Sequence, residues 1–153
     1  LEIRTKSPDA NLRALALDLA REHGLAHDRI DELVSTVLSV TQSDIWRRSQ
    51  ASPRCYSELP FETLITNDEG LPTIIRGVID LIFEEPATAN SLAGWVIVDY
   101  KTDDITESDI PSSINYHRSQ LTQYAHHWNS TTGNSTKELG LYFTRIDRYE
   151  SIL

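Results

Sequence analysis

The chain has 153 residues, of which 39% are hydrophobic and 24% are charged, a composition typical of one folded domain with a single substantial core. Its 14 lysines and arginines against 23 acids give a net charge of −9, which argues against a free-standing nucleic-acid-binding protein, because such proteins are normally basic. The single cysteine, Cys55, excludes an internal disulfide and a cysteine-based zinc site or iron–sulfur cluster.

Membrane insertion is not expected. No apolar run approaches the roughly 20 residues needed to span a bilayer, and no signal-peptide pattern opens the chain. We therefore expect a cytoplasmic location, which the single cysteine suits. Because the chain contains no methionine, we also expect it to be a domain cut from a longer protein.

The first third of the chain predicts helices. Apolar residues at helical spacing indicate one helix over 9–22 and a second helix capped by Asp28. A third, short helix is predicted from Ser43 to about Gln50. We expect these helices, within residues 1–52, to pack on a core rather than to hold a cofactor.

Strands are predicted next. Residues 54–65 read as a strand that is bent, or placed at an edge, by Pro60. The polar residues 67–70 then predict a turn. Two apolar runs follow, over 73–83 and 95–101, joined by a loop containing proline, asparagine, serine and glycine.

Each of the two apolar runs contains one acid. Because side chains alternate along a strand, Asp80 interrupts an otherwise buried-looking run, and Asp99 and Lys101 project from the same face. The same alternation predicts that one face of the first run is wholly apolar, comprising Ile75, Gly77, Ile79, Leu81 and Phe83. If the runs close as a symmetric antiparallel hairpin, Glu84 pairs with Trp95 and Asp80 falls opposite Asp99.

A pair of opposed carboxylates predicts a cation site. Directly opposed side chains lie about 5 Å apart, where two carboxylates repel each other unless a cation neutralises them. A hard divalent ion with oxygen ligands, Mg²⁺ or Mn²⁺, meets that demand. Lys101 would then orient an attacking water or stabilise developing negative charge.

Downstream, the sequence predicts a polar loop over 103–115, a helix from about Tyr116 to Asn129 that ends near Gly133, and a closing strand over 139–145. We expect Ser112 or Ser113 to cap this helix. Within it, Gln120 and Tyr124 are four residues apart and therefore share a face.

These residues resemble a known nuclease family. Asp80 followed by Asp99-Tyr100-Lys101 resembles the D…(D/E)-x-K signature of the PD-(D/E)XK nucleases. The segment GVIDL followed by the segment WVIVDYKT is similar to sequences of the RecB-like branch, and most similar to the C-terminal nuclease domain of AddA-type helicase–nucleases. Gln120 and Tyr124 match the Q-x-x-x-Y motif of that branch.

The resemblance implies an α/β (α+β) fold with a restriction-endonuclease-like core. In such a fold a mixed central sheet is flanked by helices, here with an N-terminal helical part (1–52) and a catalytic sheet and helix (53–153) in a single domain. It further implies a Mg²⁺-dependent deoxyribonuclease of exonuclease type. Its partners would be DNA, the helicase portion of the same parent chain and a second helicase–nuclease subunit. Its role would be in double-strand-break repair and recombination.

The resemblance also implies roles for individual residues. Asp80 and Asp99 would bind the metal together with the main-chain carbonyl of Tyr100, and Lys101 would complete the catalytic set. Gln120 and Tyr124 would support the site or touch DNA. Glu58 lies in a context that in this branch precedes the Asp80 hairpin.

Several alternatives remain open at the level of sequence. Glu58 would lie near the metal, or would pair with Arg54, Arg76 or a neighbouring lysine. RecB-like nucleases usually carry a metal-binding histidine upstream, and none of the histidines here has that context. The alternative function is therefore a catalytically inactive nuclease-like fold that serves as a DNA-binding or docking module.

Overall fold

The computed structural model describes residues 10–24, 27–66, 70–89 and 91–152. The helices are α1 (Ala10–Glu22), α2 (Ile30–Gln42), α3 (Asp44–Ala51) and α4 (Ile110–Thr132). The strands are β1 (Cys55–Thr66), β2 (Pro72–Glu85), β3 (Gly94–Lys101), β4 (Thr136–Phe143) and β5 (Arg148–Ser151). The expected turn at 67–70 and the expected helix start at Asp9 fall largely outside the described residues.

The strands form one mixed sheet in the order β1-β2-β3-β4-β5. The first three strands are joined as antiparallel neighbours, β3 and β4 run parallel, and β5 returns antiparallel to β4. Parallel neighbours need a crossover connection, and α4 provides it between β3 and β4. The expected register of the central hairpin is confirmed, because Glu84 pairs with Trp95.

Helices cover both faces of the sheet. On one face α4 inserts Leu121 and Trp128 into a cluster with Ile97 and Leu139. On the other face Ile45 of α3 packs with residues of β2, β3 and β4. The expected mixed sheet flanked by helices, with a helical N-terminal segment, is therefore confirmed. No helix among the described residues has both the length and the apolarity to cross a membrane.

Two helix starts differ from expectation. Helix α2 is preceded by a short 3₁₀ turn containing Asp28, and its N-cap is Arg29, so Asp28 does not cap it. Helix α4 begins at Ile110, six residues before the predicted start at Tyr116, and Ser112 lies inside it. Pro111 suits the first turn of a helix, where its missing N–H has no intrahelical partner to lose. Gly133 ends α4 in the left-handed conformation, as expected.

The alternation predicted for β2 holds only in part. Leu81 and Phe83 pack in the cluster beneath α3, but Ile79 packs with Ile82 in the cluster beneath α4. The predicted face that united Ile79 with Leu81 and Phe83 is therefore wrong. The β1–β2 ladder skips one pair at this point, where Glu58 takes a φ of 52°. Such an interruption re-aims the side chains that follow it.

An ionic cluster ties α3 to the sheet. Arg48 donates to Glu85 at 2.7 Å and to both carboxylate oxygens of Glu138, at 3.1 and 2.6 Å. Lys137 also contacts Glu85, at 2.7 Å. These side chains are largely shielded from water, so each charge is stabilised mainly by the opposite charges beside it.

Gly77 of β2 lies directly beneath an aromatic ring. A Cβ at this position would come within 2.6 Å of the ring of Phe61, its partner across the ladder. That ring packs edge-on to Tyr124 of α4, with centroids 5.4 Å apart. The absence of a side chain at residue 77 thus gives Phe61 its place under α4.

Candidate active site

The candidate site lies where β2 separates from β3. Their ladder begins at Glu85–Gly94 and ends at Leu81–Val98, so Asp80 and Asp99 would form the next pair. At Asp80 the two strands no longer pair through their main chains. Instead, Oδ2 of Asp80 accepts a hydrogen bond of 2.8 Å from the backbone N–H of Tyr100. The side chain of Asp80 therefore lies against the strand that carries Asp99 and Lys101.

Asp99 is buried beside a lysine. Only 3% of Asp99 is exposed, and the Nζ of Lys101 lies 2.6 Å from its Oδ2. The spacing of two residues on a strand places both side chains on one face, as expected from sequence. Oδ2 of Asp99 is buried and makes no hydrogen bond of good geometry among the described residues. The ion pair with Lys101 is thus its main compensation.

The pKa of Asp80 depends on its burial and on the other charges of the site. Burial raises the pKa of its carboxyl above the ordinary value, and the negative charges of Asp99 and Glu58 raise it further. The hydrogen bond from Tyr100 and the charge of Lys101 act in the opposite direction on this pKa. Two further acids and one lysine therefore lie within electrostatic reach of Asp80.

Glu58 joins this group from β1. It lies across from Asp80, at the interruption between the pairs Ser57–Leu81 and Leu59–Ile79. Of the two arginines considered as its partners, Arg54 donates to Glu84 at 2.6 Å and Arg76 donates to Glu62 at 2.6 Å. The structure thus places Glu58 beside Asp80, with each arginine bound to another acid.

Helix α4 holds Lys101 from the other side. Lys101 Nζ donates to Oε1 of Gln120 at 3.4 Å, and Nε2 of Gln120 donates to the hydroxyl of Tyr124 at 2.6 Å. Tyr124 is only 6% exposed, and burial raises the pKa of its phenol. A buried ring offers little surface to DNA, which favours the supporting role over direct contact for Tyr124.

Two side chains near the site, those of Tyr100 and His117, had no role assigned from sequence. The ring of Tyr100 packs on Tyr142 behind the sheet, with centroids 5.7 Å apart, and its hydroxyl is buried without a hydrogen bond among the described residues. His117 lies on α4 beside Gln120, and burial together with the charge of Lys101 lowers its pKa. Its spacing of three residues before Gln120 is the sequence signal that could have placed it here.

The donor set suits a hard divalent cation. Asp80 and Asp99 offer carboxylate oxygens, the ligands that such cations prefer, and Lys101 leaves Oδ1 of Asp99 uninvolved in their ion pair. Within the described ranges, no group of three or more histidines, cysteines and acids is close enough together to hold a metal by itself. A cation here would therefore also need main-chain or water oxygens, consistent with the predicted use of the Tyr100 carbonyl.

Comparisons with known proteins give one family and a set of relatives. The PD-(D/E)XK nuclease superfamily matches residues 2–151. The chain is 30% identical over 124 residues to an ATP-dependent helicase/nuclease subunit from Alkaliphilus metalliredigens, covering 75% of this chain and 10% of that protein. It is 36% identical over 92 residues to the protein of the same name from Clostridioides difficile, covering 57% of this chain and 7% of that protein.

The chain thus spans about a tenth or less of the length of these relatives. The crystal structure of SSO0001 matches 92% of this chain over 58% of its own, with a TM-score of 0.44 and 17% identity, a similarity too low to add to the assignment.

Proposed function

The chain belongs to the PD-(D/E)XK nuclease superfamily, and from that premise we propose that it is a divalent-metal-dependent deoxyribonuclease domain. The observation that carries the proposal is the group formed by Asp80, Asp99 and Lys101 at the point where β2 leaves β3. A purely structural sheet has no need for two such acids in a half-buried place.

The reaction would be hydrolysis of a phosphodiester. Water adds to phosphorus, one phosphorus–oxygen ester bond breaks, and the proton from water passes to the leaving oxygen. A divalent cation held by Asp80, Asp99 and the Tyr100 carbonyl would supply the positive charge that polarises the phosphate. Mg²⁺ and Mn²⁺ both fit these oxygen donors.

Lys101 would act on the negative charge that develops at the phosphate. Its ammonium is already fixed between Asp99 and Gln120, so little reorganisation is needed when the substrate arrives. Gln120, held in turn by Tyr124, would set the direction of that ammonium. Glu58, close to Asp80, would tune the charge of the site or add an oxygen ligand.

The wider setting follows from the relatives. Their shared name describes a protein with both helicase and nuclease activity, so we propose that this chain is the nuclease domain, residues 1–153, of such a protein. DNA, a helicase portion of the same polypeptide and a second subunit would then be its partners. Exonuclease action in double-strand-break repair and a cytoplasmic location complete the proposal.

The test is cleavage of a labelled DNA oligonucleotide with Mg²⁺, with Mn²⁺ and with EDTA. We expect metal-dependent cleavage by the wild type and its loss in Asp80→Asn. The exposed loop variant Asp104→Asn, which removes the same charge elsewhere, should cleave normally. If the wild type binds DNA but cleaves none with either metal, the alternative of a non-catalytic binding module replaces this proposal.

A further inference from the structure

Two neighbouring aromatic rings of α4, those of Tyr116 and His117, lie near the candidate site. Tyr116 of α4 is 79% exposed, the highest value among the phenylalanine, tyrosine and tryptophan residues that the structure describes. The ring of His117 lies against it, with centroids 4.8 Å apart and an interplanar angle of 89°. This edge contact supports the Tyr116 ring while most of its surface remains open to solvent.

The position of Tyr116 on α4 relates it directly to the site. It lies four residues before Gln120, so the two side chains are neighbours on one side of the helix, with Cβ atoms roughly 5–6 Å apart. Gln120 in turn contacts the ammonium of Lys101. The open ring therefore lies about one helical turn from Gln120, the residue that contacts Lys101.

His117 carries the second of these rings. The pKa of His117 is lowered first by burial and then by the charge of Lys101, while the charge of Asp99 raises it. His117 lies three residues before Gln120 on α4, so its side chain is also a neighbour of Gln120. The two rings thus lie within about one helical turn of the residue that contacts Lys101.

The charge of the chain limits how a strand can be held here. With a net charge of −9, the domain as a whole repels a phosphate backbone. Base stacking on an aromatic face is the sequence-tolerant alternative, and it requires an unpaired base whose face is free. An exposed tyrosine next to the reaction centre supplies such a face.

We propose that Tyr116, supported by His117, stacks on one base of single-stranded DNA whose neighbouring phosphate lies at Asp80, Asp99 and Lys101. This inference rests on the proposed nuclease function. It makes Tyr116 a positioning residue that favours unpaired over paired substrate, since the bases of a duplex are already stacked on each other.

The first measurement is binding of a fluorescent single-stranded oligonucleotide in EDTA, at fixed salt, so that cleavage does not interfere. Tyr116→Ala should weaken binding by about 5- to 150-fold, the usual range for loss of one stacked base. Tyr116→Trp should keep or improve affinity. The control Leu92→Ala, at an 84% exposed loop residue, should leave it unchanged.

The second measurement scans an abasic nucleotide along the oligonucleotide. One position should weaken binding to the wild type as much as Tyr116→Ala does, and this abasic substitution should add no further loss in Tyr116→Ala. Equal affinity of wild type and Tyr116→Ala, additive losses at every abasic position, or no single-strand binding by the wild type would each overturn the inference.

The two proposals fail in different ways. If Tyr116→Ala cleaves the same substrate with the wild-type metal dependence, rate and KM, the nuclease function is supported and the stacking role is refuted. Tyr116-dependent binding in EDTA without cleavage in Mg²⁺ or Mn²⁺ supports the stacking surface and overturns the nuclease function.

Discussion

The ammonium of Lys101 lies 2.6 Å from Oδ2 of Asp99, and the two side chains are only 13% and 5% exposed. Each charge is therefore compensated by the other in a place from which water is largely removed. Loss of one partner leaves the other buried without compensation. Variants of either residue should therefore be compared with the wild type under conditions where both are folded.

Lys101→Ala should reduce the rate of DNA cleavage by about 10² to 10³, the usual loss for one preorganised electrostatic group. DNA affinity should change little, because the group acts on charge that develops in the transition state. Single-turnover cleavage and equilibrium binding on one oligonucleotide at fixed salt measure the two effects. Lys137→Ala, which removes a lysine from the ionic cluster at Glu85, is the control. Cleavage by Lys101→Ala at the wild-type rate would refute the role of Lys101.

Asp80→Asn should become increasingly stable relative to the wild type as pH rises. The folded state raises the pKa of Asp80 above its ordinary 3.8, mainly through burial, so its ionisation opposes folding. Below that ordinary value both states hold the proton and no such penalty exists. The penalty grows as pH rises through the folded-state pKa and is then constant. The amide oxygen of asparagine can still accept the Tyr100 N–H.

Urea denaturation in EDTA from pH 3 to pH 8 measures this difference in the free energy of unfolding. Asp104→Asn on the exposed loop should show no comparable trend with pH. A gap between Asp80→Asn and the wild type that is the same at every pH would contradict the assignment.

Mg²⁺ or Mn²⁺ should raise the melting temperature of the wild type, because the ion binds the folded state and lessens repulsion between the acids. Free metal at 100 times its Kd would add about 2.7 kcal/mol to the free energy of unfolding. Calorimetry should show that this increase disappears in Asp80→Asn and in Asp99→Asn. An unchanged response in both variants would place the ion elsewhere.

Tyr124→Phe should lower the cleavage rate by about 2- to 10-fold, the effect of one hydrogen bond of ordinary strength. The change removes the hydroxyl that accepts from Gln120 but keeps the ring against Phe61. Gln120→Ala should cost more, because it frees the Lys101 ammonium directly. Tyr56→Phe, at a ring stacked on Trp95, is the matched control for loss of a hydroxyl. Equal rates for all three variants would show that the contact does not position Lys101.

Arg48→Ala should lower the free energy of unfolding by about 2–3 kcal/mol, since it leaves Glu85 and Glu138 close together and shielded from water. The adjacent Arg47 makes a similar contact with Asp44 in an exposed place, so Arg47→Ala should change stability by less than about 1 kcal/mol. Urea denaturation of both variants measures the difference. Similar losses in the two variants would contradict the shielding argument.

Local sequence pattern was sufficient to predict part of the geometry of the site. The symmetric loop predicted the pair Glu84–Trp95, and a spacing of two residues placed Asp99 and Lys101 on one face of β3. Helical spacing likewise brought Gln120 and Tyr124 together. These relationships depend only on neighbours along the chain or across one hairpin.

Other features of the site depend on where the hydrogen-bonded pairing of two strands ends. The carboxylate of Asp80 meets the N–H of Tyr100 because the β2–β3 ladder ends one residue earlier, and strand alternation does not predict such an end. Sequence alone also led us to expect two acids that repel each other. The fold adds the ammonium of Lys101 against Asp99, which only the side-chain conformations could show.

Gly77 shows how a position without any functional group can constrain the reaction. The space above it holds Phe61, which packs on Tyr124, which in turn holds Gln120 next to Lys101. A larger residue at 77 would push the ring toward α4, so in the evolution of such a sequence positions 77 and 61 should change together, with growth at one matched by shrinkage at the other. An engineer who redesigns this hairpin for stability would have to treat the two as one unit or lose the alignment of a lysine on the neighbouring strand.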